Sequence, residues 1–192
     1  MVEEFPLLFG RIKTKPIYCF NMEKIAKFEK VSYNQYAKAN KSVSEMDWKI
    51  IYDGISLPKR ATAGSAGYDF YAPFDITLAP GETVSIPTGI RAKINDGWVL
   101  MLFPRSGLGF KYRLQLNNTV GIIDADYYYS DNEGHIFCKI TNDTTENKTI
   151  EIKSGSGFCQ GIFVPFGVTY DDDCTAIRNG GFGSTDKNPK LL

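Results

Sequence analysis

From residue 48 onward the chain runs in short stretches of β-branched and aromatic residues, each closed by Gly, Pro, Asn or Asp. Residues 48–55, 68–72, 83–86, 90–94, 98–103, 119–123, 135–141, 149–152 and 158–166 have this character. Such side chains suit a pleated, half-buried surface, and the punctuation between them supplies turns, so each stretch is expected to be a strand. Ala79-Pro80-Gly81 and Asn95-Asp96-Gly97 are two of the turn signals. Their recurrence matches an all-β sandwich or barrel over residues 48–176, and nothing there resembles a βαβ crossover.

Residues 1–47 differ. Between residues 21 and 39 there is no Gly or Pro, and Ile25, Phe28 and Val31 recur at three-residue spacing. This predicts a partly helical N-terminal extension of one or two short amphipathic helices, with Ser32 as a cap. Residues 177–192, with three glycines, Ser184, Thr185 and a Pro, read as a flexible C-terminal arm.

Charge and cysteine content narrow the function. The 192 residues carry 22 basic and 22 acidic side chains. A zero net charge argues against a chain that wraps nucleic acid, so any phosphate must be bound locally. The balance is uneven, with a basic tilt over residues 1–60 and an acidic one after it. No apolar stretch is long enough to span a bilayer, and the acidic start (Glu3, Glu4) is unlike a secretory leader, so the expected location is cytoplasmic. Cys19, Cys138, Cys159 and Cys174 form no CxxC pair and share a single histidine, His135. They are expected to be reduced and buried, and the Asn-x-Thr triplets at Asn117, Asn142 and Asn147 to be turn chemistry.

Five stretches carry the chemistry. Gly64-Ser65-Ala66-Gly67-Tyr68-Asp69 sets one acid among small residues at the head of a strand. Pro104-Arg105-Ser106-Gly107-Leu108-Gly109 joins a guanidinium and a hydroxyl to flexible backbone, which is either a phosphate cradle or a tight solvated connection. Asn118-Thr119-Val120-Gly121-Ile122-Ile123-Asp124-Ala125-Asp126-Tyr127 places Asp124 after an apolar run. A half-solvated carboxylate there can act as a general base toward water, or simply start a turn. Gly157-Phe158-Cys159-Gln160 sets a lone amide inside an apolar strand, where it would need a partner if buried. Arg178-Asn179-Gly180-Gly181-Phe182-Gly183-Ser184-Thr185 lacks the lysine of a P-loop and suits an arm that closes over a ligand, with Phe182 as its lid.

Together and in this order, the five stretches resemble the signature motifs of the trimeric all-β dUTP pyrophosphatases, the dUTPases. The resemblance implies a distorted jelly-roll β-barrel and a homotrimer with active sites shared between subunits. It implies hydrolysis of dUTP to dUMP and pyrophosphate with Mg2+ on the triphosphate. By the same resemblance Asp124 is the catalytic base, and Asp69 holds the metal through bound water. Asn118, Gly121 and Ile122 read uracil, and Tyr127 packs against deoxyribose. Arg105, Ser106, Gly107 and Gln160 contact or support the phosphates. Phe182 stacks on the base, while Gly183, Ser184 and Thr185 close over the phosphates, with Arg178 a further substrate contact.

The chain also departs from the family pattern. Gly157 stands where relatives carry an arginine, Arg178 lies four residues before Phe182, and residues 128–133 lengthen the turn after Tyr127. A deaminase acting on dCTP would share the fold, but the strand of residues 135–142 lacks the glutamate that such relatives use. Residues 1–47 could dock a protein partner, and Met22 could be an alternative start. His135, Lys111 and Arg113 read as structural.

Overall fold

The computed structural model describes residues 23–40, 48–176 and 178. Its twelve strands are β1 (Ala26–Lys30), β2 (Lys59–Arg60), β3 (Tyr68–Tyr71), β4 (Ile76–Leu78), β5 (Thr83–Pro87), β6 (Ile90–Ile94), β7 (Trp98–Pro104), β8 (Leu114–Leu116), β9 (Gly121–Ile123), β10 (Phe137–Asn142), β11 (Ile150–Ile152) and β12 (Gly157–Pro165). Three short α-helices accompany them: α1 (Tyr33–Ala39), α2 (Trp48–Gly54) and α3 (Ser106–Tyr112). A 3-10 turn covers Ala125–Tyr129.

All pairings are antiparallel. The largest sheet runs β2-β3-β12-β7-β9, a second runs β5-β10-β8, and β1-β6 and β11-β4 complete the wrap. Strands alternate between faces. In β10, Cys138, Ile140 and Asn142 point inward, while Lys139 is exposed. Phe70, Ile86, Leu100, Leu102, Ile140 and Phe158 are at most 1% exposed and form one core. Each such side chain contributes about 1.5–3 kcal/mol relative to staying in water.

Three expectations of secondary structure are corrected. Residues 26–30 are a strand, not a helix, because β6 offers them a complete ladder from Ala26 opposite Ile94 to Lys30 opposite Ile90. Phe28 then packs on Tyr68, Phe70 and Phe163, with ring centroids 5.3–5.6 Å apart. Residues 48–54 are helical, not extended. Trp48, Ile51, Tyr52 and Ile55 fall on one helical face, and Trp48 meets Tyr36 of α1 and Phe74. Residues 106–112 are a helix rather than an open turn, closed by Arg113 in the left-handed region (φ 52°). The Ser32 cap is present, its Oγ accepting from Gln35 N at 3.1 Å. Cys138 and Cys159 are buried, but Cys174 is exposed, against expectation, and Cys19 lies outside the described residues. Cys138 and Cys159 adjoin across the core, and their mutual hydrogen bond, with burial, pushes the Cys138 thiol well up.

His135 is fully buried, its Nε2 accepting from Gly89 N at 2.9 Å. Burial pushes its pKa from 6.5 down to about 4, with Glu133 opposing the shift weakly. Below the unfolded value the unfolded chain takes up a proton that the folded one refuses. Stability is therefore complete above pH 6.5 and falls as pH drops toward about 4, by up to about 3 kcal/mol. Thermal melts across that interval should show the loss, and His135→Gln should flatten it while lowering stability at neutral pH.

Candidate active site

Strand β9 and the turn before it form one wall of a cleft of about 230 Å³. Its lining includes Asn118, Gly121, Ile122, Asp124, Tyr127 and Arg178. Six residues singled out from the sequence thus meet in one place. Leu102, Leu116, Ile123, Ile136, Phe137 and Cys138 complete the lining. These were not anticipated; the inward alternation of β10 is the signal that could have marked Ile136 and Cys138. The turn of residues 117–120 does not close a hairpin: β8 pairs with β10, and β9 with β7. It carries the chain from one sheet to the other, with Thr119 at φ 64°. Gly121 lies opposite Leu102, and a Cβ there would stand 3.0 Å from the Leu102 side chain, so a larger residue would force Leu102 to give by a few tenths of an ångström.

Asp124 is half-buried and directly precedes the 3-10 turn that carries Tyr127. Arg178 reaches back across the cleft, Nη2 bonding the Asp124 carboxylate and Nε bonding Asp126 Oδ1 at 3.0 Å. Tyr127 is buried with its ring on the cleft, its Oη donating to the His135 carbonyl at 2.8 Å and accepting from Asn132 Nδ2 at 2.7 Å. Burial raises its phenol pKa, partly offset by the Asn132 bond and the Arg178 charge.

A second cluster lies at the end of β3, β7 and β12. Gln160 stands between Asp69 on one edge of β12 and Phe103 on the other. Its Nε2 donates to the Pro104 carbonyl at 3.3 Å, which answers the need for a partner. The β12 ladder shifts register between Gly157 and Cys159, and the Phe158 carbonyl there accepts from Arg105 N at 3.2 Å. Arg105 Nε lies 3.3 Å from Asp69 Oδ1. A Cβ on Gly157 would fall 2.6 Å from Arg105 Nη1, so the missing arginine at position 157 leaves the space that Arg105 fills. Ser106 and Gly107 are exposed in the first turn of α3. The chain thus carries two clusters, one a cleft with a mixed polar and apolar lining, the other an exposed one in which Arg105 is paired with Asp69. Phe182, Gly183, Ser184 and Thr185 lie outside the described residues.

No cluster of three or more His, Cys, Asp or Glu side chains that could cage a metal occurs among the described residues. Asp69 alone suits a hard cation that keeps most of its water and is carried on phosphate oxygens, as Mg2+ usually is. Among the described residues, no helix is long and apolar enough to cross a membrane.

A deoxyuridine 5'-triphosphate nucleotidohydrolase of Lactococcus lactis is 47% identical over 135 residues, spanning 69% of this chain and 89% of the relative. The crystal structure of a dUTPase from Streptococcus mutans is 36% identical, with TM-score 0.56, covering 74% of this chain and 97% of that one. A mutant dUTPase from phage phi11 of S. aureus, described for the coordination of a structural Mg(II) ion, shares the fold at 20% identity and TM-score 0.56, over 80% of this chain and 98% of that one. The family model described as dUTPase matches residues 53–186, and the chain belongs to the dUTPase family.

Proposed function

We propose that this protein hydrolyses dUTP to dUMP and pyrophosphate by attack of water on the α-phosphorus. The observation that carries this reading is the meeting of Asn118, Gly121, Ile122, Asp124 and Tyr127 in one cleft of nucleoside size. Asn118 and the β9 backbone at Gly121 and Ile122 offer polar groups to the uracil edge, and the apolar floor suits a flat ring. Tyr127 lies against the deoxyribose. Asp124 orients the water and takes its proton, after the water displaces Arg178 from the carboxylate.

Phosphoryl transfer depends mainly on positioning and charge neutralisation. Arg105, with Ser106 and Gly107, holds the phosphates, Gln160 ties the end of β7 to β12, and Arg178 is free to move onto the phosphates once it leaves Asp124. Mg2+, held through water by Asp69, would neutralise phosphate charge. Phe182, Gly183, Ser184 and Thr185, on the arm of residues 177–192, close the site and exclude water. Because one chain presents the nucleoside cleft and the Arg105–Asp69 cluster as separate surfaces, a homotrimer in which neighbours complete each site is the assembly we infer. The product would serve thymidylate synthesis, and removal of dUTP would keep uracil out of DNA, in the cytoplasm.

Pyrophosphate release should be measured on dUTP, UTP, dTTP and dCTP with and without Mg2+. Turnover confined to dUTP and dependent on the metal is expected; ammonia release from dCTP would instead identify a deaminase. Asp124→Asn should lower kcat by about 100- to 10,000-fold with nucleotide affinity nearly unchanged, and full activity would remove Asp124 from the base role. Gly157→Ala should displace the flexible Arg105 side chain, raising KM for dUTP while leaving the melting temperature nearly unchanged.

A further inference from the structure

Residues 128–134 and the segment before α1 are latched together beside the cleft. The Glu133 carboxylate accepts from Ser32 N at 2.7 Å and from Ser32 Oγ at 2.6 Å. Ser32 is the N-cap of α1, so one residue closes the helix and holds the loop. Burial alone would raise the Glu133 pKa, but the two Ser32 bonds overcome it and lower the value. A second tie lies nearby: Tyr128 Oη bonds Glu29 Oε2 at 2.5 Å, and the Arg91 guanidinium covers the Tyr128 ring at 4.4 Å. Glu29 and Arg91 are themselves paired across β1 and β6 at 3.2 Å.

The loop bears directly on Tyr127. Asn132, next to Glu133, donates to Tyr127 Oη, while its own Oδ1 accepts from Gly134 N at 3.2 Å. Glu133 and Gly134 both have positive φ, 59° and 68°, and glutamate does not favour that conformation unless something holds it. A Cβ on Gly134 would lie 2.7 Å from Tyr128 Cα and 2.8 Å from the Tyr127 carbonyl, so the loop is pressed onto the 3-10 turn. On the other side, the carbonyl receiving Tyr127 Oη belongs to His135, whose ring stands 6.1 Å from Tyr36 of α1.

We propose that Ser32, Glu133 and Asn132 are positioning residues that hold the Tyr127 ring rigid, and that this connection from the N-terminal segment sets the selectivity for deoxyribose over ribose. The inference rests on the reading that Tyr127 faces the sugar. A 3-10 turn of five residues has few bonds of its own, and a wall excludes one extra hydroxyl only if it cannot recede. The latch supplies that stiffness from outside the cleft, since neither Ser32 nor Glu133 lines it.

The test compares kcat/KM for dUTP and UTP in the full-length wild type and in Ser32→Ala, Asn132→Ala and Ser32→Thr. Ser32→Ala and Asn132→Ala should each reduce the dUTP to UTP ratio about tenfold or more, mainly through improved use of UTP. Ser32→Thr, which keeps the hydroxyl, should restore the wild-type ratio. The double alanine variant should lose no more selectivity than the larger single loss, because both residues act along one path. An unchanged ratio in the two alanine variants, or an equal fall on both substrates, overturns the latch while leaving the sugar role of Tyr127 standing. A wild type that does not distinguish UTP from dUTP overturns that role, and the latch with it.

Discussion

The placement of β12 between β3 and β7 is the constraint on which the rest of the molecule depends. Its two ladders run from Gly161 opposite Tyr68 on one edge and from Pro165 opposite Trp98 on the other. They bring Asp69, Gln160 and Arg105, far apart in the chain, to one end of one sheet. The irregularity at Phe158 bends that end of β12, and the glycine before it makes room for Arg105. β7 then carries β9 on its far edge, so the same strand sets both the Arg105 cluster and the wall of the nucleoside cleft. Substitutions that loosen β12 would therefore disturb both clusters at once.

The N-terminal segment is tied to the same framework. β1 joins β6, Val31 N bonds the Gly89 carbonyl at 3.0 Å, and Lys30 reaches the Tyr52 and Asp53 carbonyls of α2. Tyr36 contacts both Trp48 and His135. The segment thus lies beside the lengthened loop that follows the cleft's Tyr127. The extra loop and the segment make each other's hydrogen bonds, which explains why a loop with two consecutive positive φ values holds one shape.

Much of the body was legible because its signals are local. Alternating β-branched runs and glycine turns marked β3, β5, β6, β7, β9, β10, β11 and β12, and motif order pointed to the residues of both clusters. The misread elements were those whose local pattern is ambiguous. Residues 26–30 have an apolar spacing compatible with a helix, and the free edge of β6 decides for a strand. Residues 48–54 are rich in strand-favouring residues, yet Trp48, Ile51 and Tyr52 also make a helical face, and contact with Tyr36 and Phe74 decides for a helix. The short strands β2, β4 and β8 were not marked by any such run.

Residue types and their order along the chain were enough to determine the fold class and the family. This information is local, carried by side-chain shape, turn chemistry and motif spacing. Only the tertiary structure decided that Arg105 lies over Gly157, that Arg178 rests on Asp124 and Asp126, and that Ser32 grips Glu133 across 101 positions of sequence. Such pairings depend on which strand edges and cavities become available after the sheets close, and no local pattern encodes that choice.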